Sequence, residues 1–329
     1  MASCLMKHKP RPRVSIITAL QNKGRYVSDT IRSVQAQTMG DWEMIVVENG
    51  SSDSGPIQVR QSLDDRIKLI ESERLGPGAA RNEGLKHAAG EWFLFLDADD
   101  LIEPNHLSDL LNAATRAPSA SIAAGAWWQF QDGCPEVKTL HRPATFGFEH
   151  SKLLARAVAL APWVLHAALV KREALQNAAW PEHLDCYADE DTAFWFQILL
   201  RAKVAWSESS GALYRMGTPS SRSASESLVH RIEGYAKIVK ENLEAAVCAG
   251  VRLEPEYCNH IMSMFEVSFR KALKVRDEPA ARLALRHASS WLKRSSDDSW
   301  KISLRKTLGL PLFNRIRRSV EALRLVCKL

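Results

Sequence analysis

Cysteine is scarce in these 329 residues. Cys4, Cys134, Cys186, Cys248, Cys258 and Cys327 lie far apart, with no C-x-x-C pair and no Cys/His set at zinc spacing. A zinc module is thereby excluded, and the thiols read as reduced, as in a cytosolic protein. The first thirteen residues offer no apolar run that could form a signal-peptide core, so export by that route is not expected. Long hydrophobic runs are also lacking. The longest, residues 153–170, is interrupted by Arg156, Pro162 and His166 and stands at the short edge of a bilayer span; it reads as a buried helix running into a strand. Charge of one sign is missing from most of the chain. The net charge is +6, but residues 301–329 hold eight basic residues and one acidic, which leaves residues 1–300 at −1. A nearly neutral body has no general nucleic-acid footprint, and no nucleic-acid partner is expected.

What is there is globular: 46% of the residues are hydrophobic and 25% charged, which separates the chain from disordered and fibrous classes. The first hundred residues alternate between two hydrophobic periods, the signature of βαβ units over a parallel sheet. Residues 14–19, 44–47, 67–70 and 92–96 read as strands, residues 26–37 and 77–88 as helices, and Pro104 is placed to begin another helix. Residues 121–214 are mixed, with the pair Trp127-Trp128 and a helical stretch over 191–201. From residue 230 onward the pattern is helical, with breaks at Gly250, Pro279 and Gly309-Leu310-Pro311, and there is no internal repeat.

In open parallel sheets ligands bind beyond the carboxyl ends of the strands. Three of the expected strand ends carry polar clusters: Gln21-Asn22, Glu48-Asn49 and Asp97-Ala98-Asp99-Asp100. Two carboxylates on alternate residues suit a hard divalent cation plus a nucleotide's phosphate or sugar, while Asp99 and Asp100 also suit a plain helix cap. Gly76-Pro77-Gly78 opens a helix as a dinucleotide fingerprint would, but Arg81 fills the third glycine position, where glycine serves close helix packing; this argues against NAD. Arg81 itself suits either a diphosphate or an ion pair with Asp97.

The blocks Val14-Ser15-Ile16-Ile17, Asn22-Lys23, Tyr26-Val27, Val46-Val47-Glu48-Asn49-Gly50-Ser51-Ser52-Asp53, Gly76 to Gly84 and Gly90 to Asp100 together resemble the nucleotide-sugar-binding half of family 2 glycosyltransferases. The resemblance covers roughly the first third of the chain. It implies a GT-A fold: a Rossmann-like α/β architecture with a mixed, mainly parallel sheet, flanking helices and a helical C-terminal region. It further implies that Ala19, Gln21, Asn22, Glu48 and Asn49 cradle the nucleobase, that Arg81 and Asp97 hold the nucleotide, and that Asp99 ligates Mn or Mg on the diphosphate. Two departures stand out. Ala19-Leu20-Gln21 replaces small and aromatic residues, and Glu48-Asn49 replaces an Asp-Asp pair, exchanging a strong acceptor for a neutral amide.

Asp189-Glu190-Asp191 resembles the family's Glu-Asp pair before a helix. Inverting transfer needs a base for the acceptor hydroxyl, which makes Asp191 the candidate, with Glu190 as a neighbour that binds acceptor. Acidic residues also suit a helix N-terminus for its dipole alone. Trp163, His166 and Glu182 fall where the family's acceptor loop runs. The family often has a histidine shortly after a Tyr-Arg strand; Tyr214-Arg215-Met216-Gly217 has none, and residues 218–223 read as a lid or a polar linker, with Arg215 and Arg222 as diphosphate contacts. The Q-x-x-R-W motif of processive synthases is missing.

The expected organisation is a catalytic domain over residues 1–217 (1–115 for the donor, 116–217 for the acceptor), a helical extension over 218–300 and a basic tail over 301–329. The expected activity is inverting, metal-dependent transfer of one sugar from a UDP-sugar to a glycan or lipid-linked acceptor in surface polysaccharide assembly. Two alternatives are a non-catalytic sugar-nucleotide-binding or scaffold protein of the same fold and a sugar-nucleotide pyrophosphorylase. The latter needs a glycine-rich loop after the first strand, which Ala19-Leu20-Gln21-Asn22 is not. Within residues 312–326, Leu312, Ile316, Val320 and Leu323 share a helical face ringed by Arg315, Arg317, Arg318 and Arg324. That face suits peripheral contact with the inner face of a membrane, or docking on the protein itself.

Overall fold

The computed structural model describes residues 11–314 apart from Leu63, Arg74, Leu75, Asn177, Ser220 and Asp298. The chain divides into two compact units. The first comprises Met1–Phe146, Trp163–Cys186 and Arg201–Ala224; the second comprises Gly147–Pro162, Tyr187–Leu200 and Ser225–Leu329.

The first unit holds eleven strands among the described residues: β1 (Val14–Leu20), β2 (Trp42–Glu48), β3 (Ile67–Glu71), β4 (Trp92–Phe95), β5 (Leu101–Ile102), β6 (Ile122–Ala124), β7 (Trp127–Gln131), β8 (Cys134–His141), β9 (Ala168–Lys171), β10 (Val204–Trp206) and β11 (Ala212–Met216). Seven form one sheet in the order β10-β6-β9-β4-β1-β2-β3, and the others form a second in the order β5-β11-β7-β8. In the large sheet β1, β2, β3 and β4 run parallel, and β9 runs antiparallel to both β4 and β6. This is the mixed, mainly parallel sheet that the sequence implies.

Helices α1 (Val27–Gln35), α2 (Gly55–Gln61), α3 (Pro77–His87) and α4 (His106–Arg116) flank these strands. The central strands are apolar on both faces because both are covered: Met44, Ile45, Val46 and Val47 are all fully buried. Helix α1 buries Val27, Thr30, Ile31 and Val34, one stripe at the helical period, and each fully buried apolar side chain there contributes about 1.5–3 kcal/mol. Close approach of α3 to the sheet falls at Gly84 rather than at position 81. A Cβ on Gly84 would stand 2.6 Å from Ile17 Cγ2, so glycine is required there.

In the second unit lie α5 (His150–Ala157) and α6 (Asp191–Leu199). After α7 (Arg222–Ser225) come α8 (Leu228–Cys248), α9 (Tyr257–Lys274), α10 (Glu278–Arg294) and α11 (Trp300–Leu308). Helix α6 is apolar on nearly every side and correspondingly buried, from Ala193 through Phe196 and again at Ile198 and Leu199. Helix α10 packs through Ala280, Ala284 and Ala288, a small-residue stripe at i, i+4, i+8. Pro279 starts this helix rather than breaking one, because Asp277 caps it by accepting from the Ala280 amide at 3.0 Å. Buried Glu266 on α9 pairs with Arg270 at 3.1 Å and Arg305 at 3.2 Å.

The apolar stretch 153–170 resolves into the end of α5, a connection that closes with a 3-10 turn at Leu165–Ala167, and β9. Among the described residues no helix is long and apolar enough to cross a membrane. The tail beyond residue 314, with most of its amphipathic pattern, lies outside the described residues.

Candidate active site

The carboxyl ends of β1, β2 and β4 emerge at one edge of the large sheet. Leu20 pairs with Glu48 in the parallel register, and the Leu96 amide donates to the Ile17 carbonyl at 3.0 Å, so Asp97 follows at the same edge. Ala19 is half-buried near the end of β1. Gln21 donates to the Asn49 carbonyl at 3.0 Å, and Asn22 accepts from the Ser52 amide at 2.8 Å.

Glu48 and Asn49 differ in their surroundings. Both Glu48 carboxylate oxygens are turned onto Ser51, one accepting from its amide and the other from its hydroxyl at 2.9 Å, so this carboxylate builds the turn. Asn49 is 1% exposed and its Oδ1 finds no partner among the described residues. A buried acceptor left without a donor costs about 1–3 kcal/mol, and such an atom marks a place where a ligand N–H fits.

Arg81 lies on α3 with its guanidinium over the Trp180 ring at 4.3 Å and its Nη2 donating to Asp97 Oδ1 at 2.8 Å. Of the two readings left open by the sequence, the ion pair is formed. Desolvation alone would raise the Asp97 carboxyl, but the charge and hydrogen bond of Arg81 outweigh it and hold the group below the ordinary carboxylate range. Asp99 receives Lys23 Nζ at 2.6 Å and the Thr218 hydroxyl at 3.2 Å, both on Oδ2.

Asp97 Oδ2 and Asp99 Oδ1 have no hydrogen-bond partner among the described residues. These two oxygens fit a hard divalent ion whose other ligands come from phosphate and water. Among the described residues no three His, Cys, Asp or Glu side chains group as a cluster able to hold a metal alone.

Asp100 is 2% exposed and accepts from the Arg215 amide at 2.7 Å. Burial, then the charges of Asp99 and Asp97, raise its carboxyl well above the usual range. His166 lies fully buried with Nδ1 3.4 Å from Asp100 Oδ2, and burial followed by the nearby His106 pushes its pKa to about 3. His106, itself pushed to about 4 by burial, donates from Nε2 to the His166 carbonyl at 2.8 Å.

The residues expected on the acceptor loop are placed differently from an open binding surface. Trp163 is 2% exposed with its ring edge on Trp206, and His166 lies beneath Asp100, so neither presents a ring face to solvent. Glu182 accepts from Asn82 at 2.9 Å. Arg215 is occupied by Asp132 at 3.2 Å and by the Asp99 carbonyl at 2.7 Å, between the rings of Tyr26 and Phe130. Arg222 donates to the Asp185 carbonyl at 2.9 Å.

Asp185 has no counterpart in the sequence reading. Its carboxylate accepts from the Gly78 amide at 2.8 Å and the Ala79 amide at 3.0 Å, filling the N-terminus of α3 where a dinucleotide fold sets its pyrophosphate. A Cβ on Gly76 or Gly78 would strike this carboxylate at 2.2 or 2.5 Å. The glycines that resemble a dinucleotide fingerprint thus admit an internal anion.

In the second unit Asp191 is the half-buried first residue of α6, and Glu190 beside it is 2% exposed. Asp189 faces Arg231, whose Nε stands 3.8 Å from Oδ2 and donates to Glu226 at 2.9 Å. Burial lifts Asp189 to about 6 against the pull of Arg231, with Glu226 and Glu190 adding to the rise.

Residues 15–177 match the family model described as Glycosyl transferase family 2. WfgD of Escherichia coli, named a UDP-Glc:alpha-D-GlcNAc-diphosphoundecaprenol beta-1,3-glucosyltransferase, is 41% identical over 95 residues, which are 29% of this chain and 38% of that protein. The structure of S. aureus TarS 1-349 in complex with UDP-GlcNAc superposes with a TM-score of 0.53 at 18% identity, covering 83% of this chain and 90% of that one. The mannosyltransferase PcManGT from Pyrobaculum calidifontis, in complex with GDP-Man and Mn2+, gives 0.52 at 19% identity, covering 86% and 81%. The first curated relatives are matched over 30% to 56% of their own length. With strand order, polar strand ends and family match in agreement, the chain has the GT-A fold, and its residues 15–177 form a glycosyl transferase family 2 domain.

Proposed function

We propose that the chain transfers a single sugar from a nucleoside diphosphate sugar, with inversion, to a glycan or lipid-linked acceptor in polysaccharide assembly. The observation that carries this reading is the pair of carboxylate oxygens on Asp97 and Asp99 that lack a hydrogen-bond partner among the described residues, together with the buried Asn49 Oδ1, which lacks one too, at the same edge of the sheet. An acceptor at that depth matches the N3–H of uracil or thymine or the N1–H of guanine, whereas cytosine and adenine accept at the corresponding ring nitrogen. UDP-sugars are the first choice and GDP-sugars the second, in keeping with the UDP-GlcNAc and GDP-Man named for the two structural relatives.

Asp97 and Asp99 would hold Mn or Mg, as the Mn2+ of one relative suggests, and the ion would supply Lewis-acid relief of charge on the departing diphosphate. Arg81 keeps Asp97 ionised and oriented for that task. Asp191 is assigned as base by its place in the sequence. Its carboxylate takes the acceptor hydroxyl proton while the new bond from that oxygen to the anomeric carbon forms and the bond from that carbon to the diphosphate oxygen breaks.

The donor is tested by thermal shift with UDP-, GDP-, dTDP- and CMP-sugars, each with and without Mn2+. A ligand bound by the native state raises the midpoint, and the uridine, thymidine and guanosine donors should do so more than the cytidine donor, with Mn2+ enhancing the shift. No shift with any donor would remove the reading. A non-catalytic binder of the same fold is the second reading, favoured by the want of a histidine after Tyr214-Arg215. Asp191→Asn separates the two. Donor binding retained with transfer lost supports the enzyme, and a wild type that binds donors without ever turning them over supports the binder.

A further inference from the structure

The turn after β1 delivers one side chain to the metal-facing carboxylate, and it is built firmly. Asn22 adopts φ 52, a left-handed conformation that a residue with a Cβ keeps only where its surroundings over-determine it. Here they do. Asn22 Oδ1 accepts from the Ser52 amide at 2.8 Å and from its hydroxyl at 3.1 Å, and the Asn22 amide donates to Ser51 Oγ at 3.1 Å. On the other side the Gly24 amide donates to Asp53 Oδ2 at 2.7 Å. Lys23, between them, is anchored through both neighbours to the turn that follows β2. Its Nζ reaches Asp99 Oδ2 at 2.6 Å, and both side chains are 15% exposed.

We propose that Lys23 is the resident counter-cation of Asp99 and makes divalent-ion binding at that carboxylate conditional on a nucleoside diphosphate. This rests on the donor-binding reading above. An ammonium and a divalent ion compete for one carboxylate, because each repels the other at such a distance in a partly dehydrated site. A diphosphate changes the balance. It brings ligands for the ion and offers the ammonium a second anion, the role in which lysine serves as a point charge for phosphate. With ligands from only two carboxylates at the strand end, the free protein holds the ion weakly, and ion and nucleotide each raise the other's affinity by the same factor.

Mn2+ binding to the full chain, read by isothermal titration calorimetry with no nucleotide, with UDP and with GDP, tests this directly. Lys23→Gln keeps a hydrogen bond to Asp99 and removes the charge; Lys23→Met removes both, and Lys23→Arg keeps the charge. Without nucleotide, Lys23→Gln and Lys23→Met should bind Mn2+ about tenfold more tightly than wild type, and Lys23→Arg should stay weak. The gain in Mn2+ affinity on adding UDP should shrink in the uncharged variants, and their UDP affinity in EDTA should fall by about tenfold. Unchanged or weaker Mn2+ binding by whichever uncharged variant folds, with nucleotide binding intact in the wild type, overturns the role of Lys23 and leaves the donor site standing. A wild type that binds neither UDP nor GDP, with or without Mn2+, overturns both.

Discussion

Half-buried Asp189 and fully buried His166 are titratable groups whose linkage to folding runs in opposite directions. Burial raises Asp189 from 3.8 to about 6, so the stability tied to its protonated form is complete below the lower value and lost as pH climbs through the higher. His166 is lowered from 6.5 to about 3, so the stability of its neutral form is present above 6.5 and lost as pH falls toward 3. Between pH 4 and 6 the two oppose each other, and a pH profile of the wild type alone would show little of either. A substitution separates them. The unfolding free energy of Asp189→Asn relative to wild type should shift in the variant's favour by roughly 2 kcal/mol between pH 4 and pH 7, measured by urea denaturation across that range. A difference that does not vary with pH would show that Asp189 ionises alike in the folded and unfolded chain. The neighbouring charges that shape this titration are Arg231, Glu226, Glu190 and the Tyr235 hydroxyl, so the test belongs to the acidic segment before α6 and not to the donor site.

Helix α3 shows at the scale of an element what could and could not be read ahead of the structure. Its limits were legible, because Pro77 suits a first helical turn, and so was its neighbour β4, because an apolar run ends abruptly at Asp97. Strands β1, β2 and β4 and the polar clusters at their ends follow from the same local periodicities. The meaning of Gly76 and Gly78 was not legible, since the carboxylate they admit comes from Asp185, 107 residues beyond Gly78 in the chain. Nothing around Asp185 in the sequence announces a helix cap at that range. The second sheet escaped for a related reason: β8 is exposed along nearly its whole length and carries little hydrophobic pattern. The burial of His166 under Asp100 is likewise a tertiary fact. Asp185→Ala should cost about 1–2 kcal/mol through the lost cap and the uncompensated helix N-terminus, read as a lower thermal midpoint. Asp185→Asn should recover part of it, and equal midpoints for wild type and Asp185→Ala would show that the cap carries no net stability.

For the whole molecule the question of charge narrows to the C-terminal segment. Of the eight basic residues after residue 300, Arg305 and Lys306 have internal partners: Arg305 stands 3.2 Å from the buried Glu266 and Lys306 donates to the Ser295 carbonyl at 2.9 Å. Ile302 and Leu310 are buried as well. The described part of the basic segment therefore belongs to the second unit, and removing everything from residue 301 would strip a buried carboxylate of one partner, a change that destabilises by itself. The membrane question is better put to residues 315–329, which lie outside the described residues and carry five basic residues and one acidic. Each cation near an anionic surface contributes about 1 kcal/mol, and salt screens it. Truncation after Asn314 should leave the thermal midpoint close to wild type while reducing co-sedimentation with phosphatidylglycerol vesicles, and raising the salt concentration should weaken the binding of the full chain to the same vesicles. Binding that survives the truncation would assign membrane contact to another surface, and a full chain that ignores the vesicles would confine the basic segment to its own protein.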